Sequence, residues 1–170
     1  MKETAPQYIA RVTGYVQGKK PLAVQAATAD RLAKLIKGVP VAKLKKRPAP
    51  DKWSVTEILA HLADCEIVAG WRMRLILGSP GTPILGFDQD AWADAGHYAK
   101  RDPRKSLEQF RAFREANLSL LKSLKAEQWQ HHGMHSERGV ETIEHISRMF
   151  AGHDLNHTKQ IEEILGKGKK

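Results

Sequence analysis

His153 and His157 stand four residues apart, so on a helix they share one face with Cβ atoms about 5–6 Å from each other. Two imidazoles at that spacing can grip one divalent cation, as the H-x-x-x-H pairs of zinc enzymes do. His61, three residues past Ile58 and four before Cys65, interrupts a second apolar stripe in the same way. A buried imidazole has two ring nitrogens to satisfy and is costly without partners for both. One cation shared by three neutral imidazoles meets that demand and keeps its +2 charge and an open coordination position, the pattern of catalytic sites. Such an ion lowers the pKa of a bound water toward about 7 and takes up a thiol as thiolate. The spacing equally allows three separate core histidines, each hydrogen-bonded to a backbone carbonyl or a carboxylate.

Other readings of these residues are weaker. His153-Asp154-Leu155-Asn156-His157 carries Asp where a zinc protease carries Glu, and too little chain follows for a distant third ligand on the same helix. His131, His132 and His135 fall near Trp129 and Gly133 in a polar stretch expected to be a solvated loop that would hold a metal loosely. His97 and His145 read as surface or capping residues. Cys65, one turn past His61, is either a soft ligand or a small core residue. Asp64, three residues after His61, and Asp154, beside a histidine, are candidates to orient an imidazole. Glu57 is a further candidate, although a capping role already accounts for it.

Four strong helical patterns position these residues. The first follows Pro21, with Leu22, Gln25, Ala26, Ala29, Leu32 and Ile36 on one face until Gly38. The second opens on Ser54-Val55-Thr56-Glu57, a capping box flanked by Trp53 and Ile58 as a hydrophobic staple, and runs to Leu77 before Gly78, Pro80 and Gly81. The third starts at Asp102-Pro103 and presents Leu107, Phe110, Phe113, Asn117, Leu120, Leu121 and Leu124. The last, capped by Thr142, presents Ile143, Ile146, Phe150, His153, His157, Ile161 and Ile164 in one narrow stripe. A shorter helix is expected over 5–17. No run alternates apolar and polar residues between turn signals, so strands are not expected. The fold class is therefore an all-α helical bundle.

The segment from Leu77 to Asp102 is much longer than an antiparallel helix turn, typically two to eight residues. Long crossings join parallel helices in bundles, and long ordered loops often carry function. Asp88, Asp90 and Trp92 within it could line the mouth of a site.

Composition sets outer bounds. At 170 residues with 41% hydrophobic content, the chain is long enough for one domain with a real core and too apolar for a disordered one. No stretch approaches the roughly 18 uninterrupted apolar residues of a membrane span. The opening Met1-Lys2-Glu3-Thr4 lacks the order of a secretory signal, and a lone Cys65 suits a reducing compartment, so a cytoplasmic protein is expected. The net charge of +9 invites a nucleic-acid reading. Its distribution opposes one: Lys43, Lys45, Lys46 and Arg47 precede Pro48-Ala49-Pro50, Lys167, Lys169 and Lys170 form a tail, and neither run interleaves with aromatics.

Trp53-Ser54, Glu57, His61 eight residues after the tryptophan, and the terminal His153-x-x-x-His157 resemble the DinB/YfiT-like superfamily of metal-binding bundles. The resemblance spans nearly the whole chain, as one domain over 1–170 with residues 1–20 an N-terminal extension and 166–170 a basic tail. It implies an up-down-down-up four-helix bundle, with the long crossing between the second and third helices. It further implies nickel or zinc on His61, His153 and His157, and a homodimer. Relatives of this kind include thiol S-transferases that use low-molecular-weight thiols such as bacillithiol, and others that look like hydrolases. The resemblance thus points to a metal-dependent hydrolase or thiol S-transferase acting on a small molecule, with a non-catalytic metal- or ligand-binding bundle as the alternative. A thiol carboxylate would want an arginine near the metal, for which Arg72, Arg74 and Arg148 are candidates.

Overall fold

The computed structural model describes residues 4–167; the opening Met1-Lys2-Glu3 and residues 168–170 of the basic tail lie outside them. Four long helices form the bundle: α2 (Pro21–Ile36), α4 (Val55–Gly78), α6 (Pro103–Ser123) and α7 (Ile143–Leu165). Shorter elements are α1 (Ala5–Gly14), α3 (Val41–Lys45), α5 (Gln89–Ala95), and strands β1 (Pro83–Ile84), β2 (His132–His135) and β3 (Gly139–Thr142). No helix among the described residues is long and apolar enough to cross a membrane.

Cross-helix bonds fix the directions. Along α2 and α7, Gln25 meets Ser147, Thr28 meets Asp154 and Arg31 meets Glu162, so the two run parallel. Glu66 meets Arg114 and Arg74 meets Asn117, so α4 and α6 also run parallel. Arg114 reaches the Gln25 carbonyl while Arg111 reaches Asp30, which makes α2 and α6 antiparallel. The result is up-down-down-up. Two parallel helices adjacent in sequence need a connection that returns the full length of the bundle, and this is why the segment after α4 is long.

That crossing is structured. Asp88 caps α5, its carboxylate accepting the Asp90 and Ala91 amides at 2.9 and 3.0 Å. Before it, β1 pairs in parallel with β2, which pairs antiparallel with β3. The histidines expected in a solvated loop are therefore on or beside a hairpin strand, and His135 is buried. The strands are too short and too polar to show alternation. Their fit rests on Gly133, where a Cβ would come within 3.0 Å of Ile76 Cγ1, and on Gly139, whose φ of +75° suits glycine in the turn.

Two apolar clusters fill the bundle. Ala29, Leu32, Ile58, Leu62, Phe110 and Ile161 belong to one, and Ala69, Met73, Leu121, Ile143 and Ile146 to the other. A polar layer separates them along every helix. Arg114 at its centre donates to Asp154 Oδ2 and Oδ1 at 2.6 and 2.9 Å, to Glu66 Oε1 at 2.8 Å and to the Gln25 carbonyl at 2.8 Å. These acids hold Arg114 inside despite the penalty of burial. The inward face of α6 is rotated accordingly. Phe113, expected inside, is 39% exposed, and Ala26 on α2 is likewise exposed while Thr28 is buried.

Candidate metal centre

The N-terminus of α4 is fixed before His61 is placed. Ser54 Oγ accepts the Glu57 amide at 3.3 Å, and Glu57 Oε2 accepts the Ser54 amide at 2.8 Å, closing the capping box. Arg47 adds Nε bonds of 3.1 Å to both Glu57 oxygens. Burial alone would raise the Glu57 carboxyl, but the bonds from Arg47 and Ser54 outweigh it and hold it below its ordinary value. One turn later, His61 is buried with its ring 4.9 Å from that of Trp53.

From α7, His153 and His157 point at the same spot. His153 Nε2 lies 3.0 Å from His61 Nε2 and 3.0 Å from His157 Nε2. Gln160 Oε1, 2.8 Å from His157 Nδ1, accepts the proton there. That bond leaves His157 Nε2 as a bare lone pair directed at the cluster. His153 Nδ1 is buried without a hydrogen-bond partner. Burial pushes all three imidazoles toward the neutral form, His157 to about 4 and the other two well below their ordinary value, the neighbouring histidines adding to the effect on His61 and His153.

Three converging ring nitrogens cannot satisfy one another, because a proton on one serves only a single partner well. A cation fits them. Nitrogens about 2.0–2.1 Å from an ion, at angles between octahedral and tetrahedral, are about 2.8–3.4 Å apart. The 3.0 Å spacings fall in that range. Cys65 Sγ sits 3.5 Å from His61 Nε2, and the donors of His61, Cys65 and His153 all lie within 4.8 Å of one another. Burial raises the Cys65 thiol strongly, so without a cation it stays protonated.

Neither candidate acid orients an imidazole. Asp64 faces the crossing, where it accepts from the Tyr98 hydroxyl at 2.7 Å and from Arg101 at 3.0 Å. Asp154, one residue from His153 and therefore turned about 100° from it around the helix, faces the bundle centre and Arg114. The orienting partner is Gln160, which sequence reasoning missed; its signal is the i+3 spacing from His157. Thr142 takes the capping place expected of it, its Oγ1 accepting the His145 amide at 3.0 Å.

A cavity of about 160 Å³ opens beside the cluster, lined by His61, Cys65, Arg72, Phe87, Phe150 and His153. The hairpin adds Glu137 and Arg138 to its wall. Of the three candidate arginines only Arg72 reaches it. Arg74 turns to Asn117 at 3.1 Å, and Arg148 is exposed. Asp90 lines a separate groove that reaches His157, while Trp92 stacks on Phe87 at 4.6 Å between ring centroids.

The chain is 25% identical over 136 residues to a proposed metal-dependent hydrolase of Halalkalibacterium halodurans, covering 80% of this chain and 79% of that one. It is 25% identical over 113 residues to YfiT of Bacillus subtilis, whose name carries the same proposal, covering 66% of this chain and 64% of the relative. The solved structure of YfiT, described as an unusual four-helix bundle, superposes with a TM-score of 0.78 at 23% identity, covering 85% of this chain and 83% of that one. The DinB superfamily model matches residues 26–161, a span that contains all three histidines, and the chain belongs to that superfamily.

Proposed function

We propose that His61, His153 and His157 hold one divalent cation, nickel or zinc, and that the chain is a metal-dependent hydrolase acting on a small molecule in the adjoining cavity. The observation that carries this reading is that His153 Nε2 lies 3.0 Å from both His61 Nε2 and His157 Nε2, with the last of these fixed as a bare lone pair by Gln160. The names of the relatives support the hydrolase assignment. When bound, the ion supplies Lewis-acid activation of water, or equally of a small thiol. The protein's own part is to hold the ligands and keep the site dry. Gln160 sets the tautomer of His157, Trp53 packs the ring of His61, and Phe87 and Phe150 line the cavity with apolar surface.

The test is turnover of activated esters and amides by nickel- and zinc-loaded protein, with and without bacillithiol or glutathione. Hydrolysis without thiol supports the proposal. Turnover that requires thiol would make the chain an S-transferase, and no turnover with stoichiometric metal would leave a metal-binding bundle.

A further inference from the structure

Arg72 is 6% exposed, yet its guanidinium has no carboxylate within ion-pair distance among the described residues. Its one hydrogen bond there goes to the Leu85 carbonyl. Two other arginines show what such burial ordinarily demands. Arg114, equally enclosed, is matched by Asp154 and Glu66. Arg138, on the same cavity wall as Arg72, is held by both Glu141 oxygens at 2.6 and 3.0 Å. A guanidinium carries five N–H donors, and an uncompensated buried cation is costly. Burial, with Arg138 adding to it, pulls the Arg72 guanidinium below its ordinary value, and the charges of Glu141 and Glu137 offset only part of the effect.

Its position gives that cost a purpose. His61, Cys65 and Arg72 lie on one face of α4 and line the same cavity. Long helical side chains lean toward the helix N-terminus, here from Arg72 toward Cys65 and His61. A cavity of about 160 Å³ has room for several waters, and so for an amino-acid-sized fragment. The acid on the wall, Glu137, lies at the exposed hairpin turn.

We propose that this cavity takes a small carboxylate-bearing substrate, its carboxylate held by Arg72 and its reacting end beside His61 and His153. The planar fork of the guanidinium suits a carboxylate in a two-pronged contact, and a neutral ligand would leave the buried charge unmatched. The inference rests on the metal reading above, since it needs an ion to receive the other end of the substrate.

The experiment uses zinc-loaded protein whose metal content has first been measured, and a ladder of thiol probes from mercaptoacetate to mercaptohexanoate, each paired with its primary amide. Calorimetric titration gives the acid-to-amide affinity ratio at each chain length. At the length that matches the span, the acid binds about 10- to 100-fold more tightly, the range expected for a charged hydrogen bond. Arg72→Gln brings that ratio to about one, whereas Arg72→Lys keeps a preference for the acid. Equal affinities for acid and amide at every length, on protein carrying one zinc per chain, overturn the Arg72 assignment and leave the metal reading standing. Failure to load zinc overturns both.

Discussion

Replacing Arg114 with Met removes the only cation of the polar layer and leaves two carboxylates, Asp154 at 1% and Glu66 at 3% exposure, facing each other's charge. Four hydrogen bonds of 2.6–2.9 Å are lost with it. Breaking a buried ion pair from one side costs about 3–5 kcal/mol. For a domain of this size that lowers the melting temperature by about 6–20 °C, at about 2–4 °C per kcal/mol. The assay is thermal and urea unfolding of metal-free protein across pH. Burial raises the Asp154 carboxyl above its ordinary value even in the parent, where Arg114 offsets part of the effect; in the variant that offset is gone and the carboxyl rises further. The unfolded state then binds fewer protons, so the variant loses stability as pH rises. Its deficit relative to the parent is therefore greatest near neutrality and shrinks as pH falls toward about 4, below which both states are protonated. A loss under about 1 kcal/mol, or one that does not change with pH, would refute the view that this layer is an ionic anchor.

Three further outcomes follow from the geometry. A Cβ on Gly152 would sit 1.9 Å from the Val12 carbonyl oxygen, so Gly152→Ala should lift α1 from α7; faster amide exchange over Ala5–Gly14 with α7 unchanged is expected. Gln160→Leu should weaken zinc binding about 10- to 100-fold in a competitive chelator titration by releasing His157 Nδ1, and unchanged affinity would contradict its orienting role. In metal-free protein His157 titrates near 4 when folded and near 6.5 when unfolded. The unfolded state therefore binds more protons in that window, and urea midpoints should fall as pH drops from about 6.5 toward about 4; a flat profile would contradict the burial of neutral imidazoles.

The four bundle helices were legible because each carries a strong period and a readable start, a cap in the Ser54-Glu57 box and at Thr142 and a first-turn proline at Pro21. His61, His153 and His157 stood out because polar rings replace apolar residues in those stripes. The hairpin was hidden because strands of four residues, held by Gly133 against Ile76, need no alternating pattern. Phe113 left its expected place inside because α6 is oriented by the acids on two other helices that hold Arg114, a long-range effect that local periodicity does not carry. For the same reason Asp154 and Asp64 looked like partners of the histidines. Adjacency in sequence placed them near, while helix rotation turned them toward Arg114 and Tyr98.

The central claim is a single cation shared by α4 and α7. The direct measurement is metal content per chain after zinc or nickel loading and desalting, together with anomalous scattering at the metal edge, for the parent and for His153→Ala. The account predicts one ion per chain, its anomalous peak where the Nε2 atoms of His61, His153 and His157 meet, and loss of both signals in the variant. Full metal content in His153→Ala, or a peak elsewhere in the protein, would contradict it.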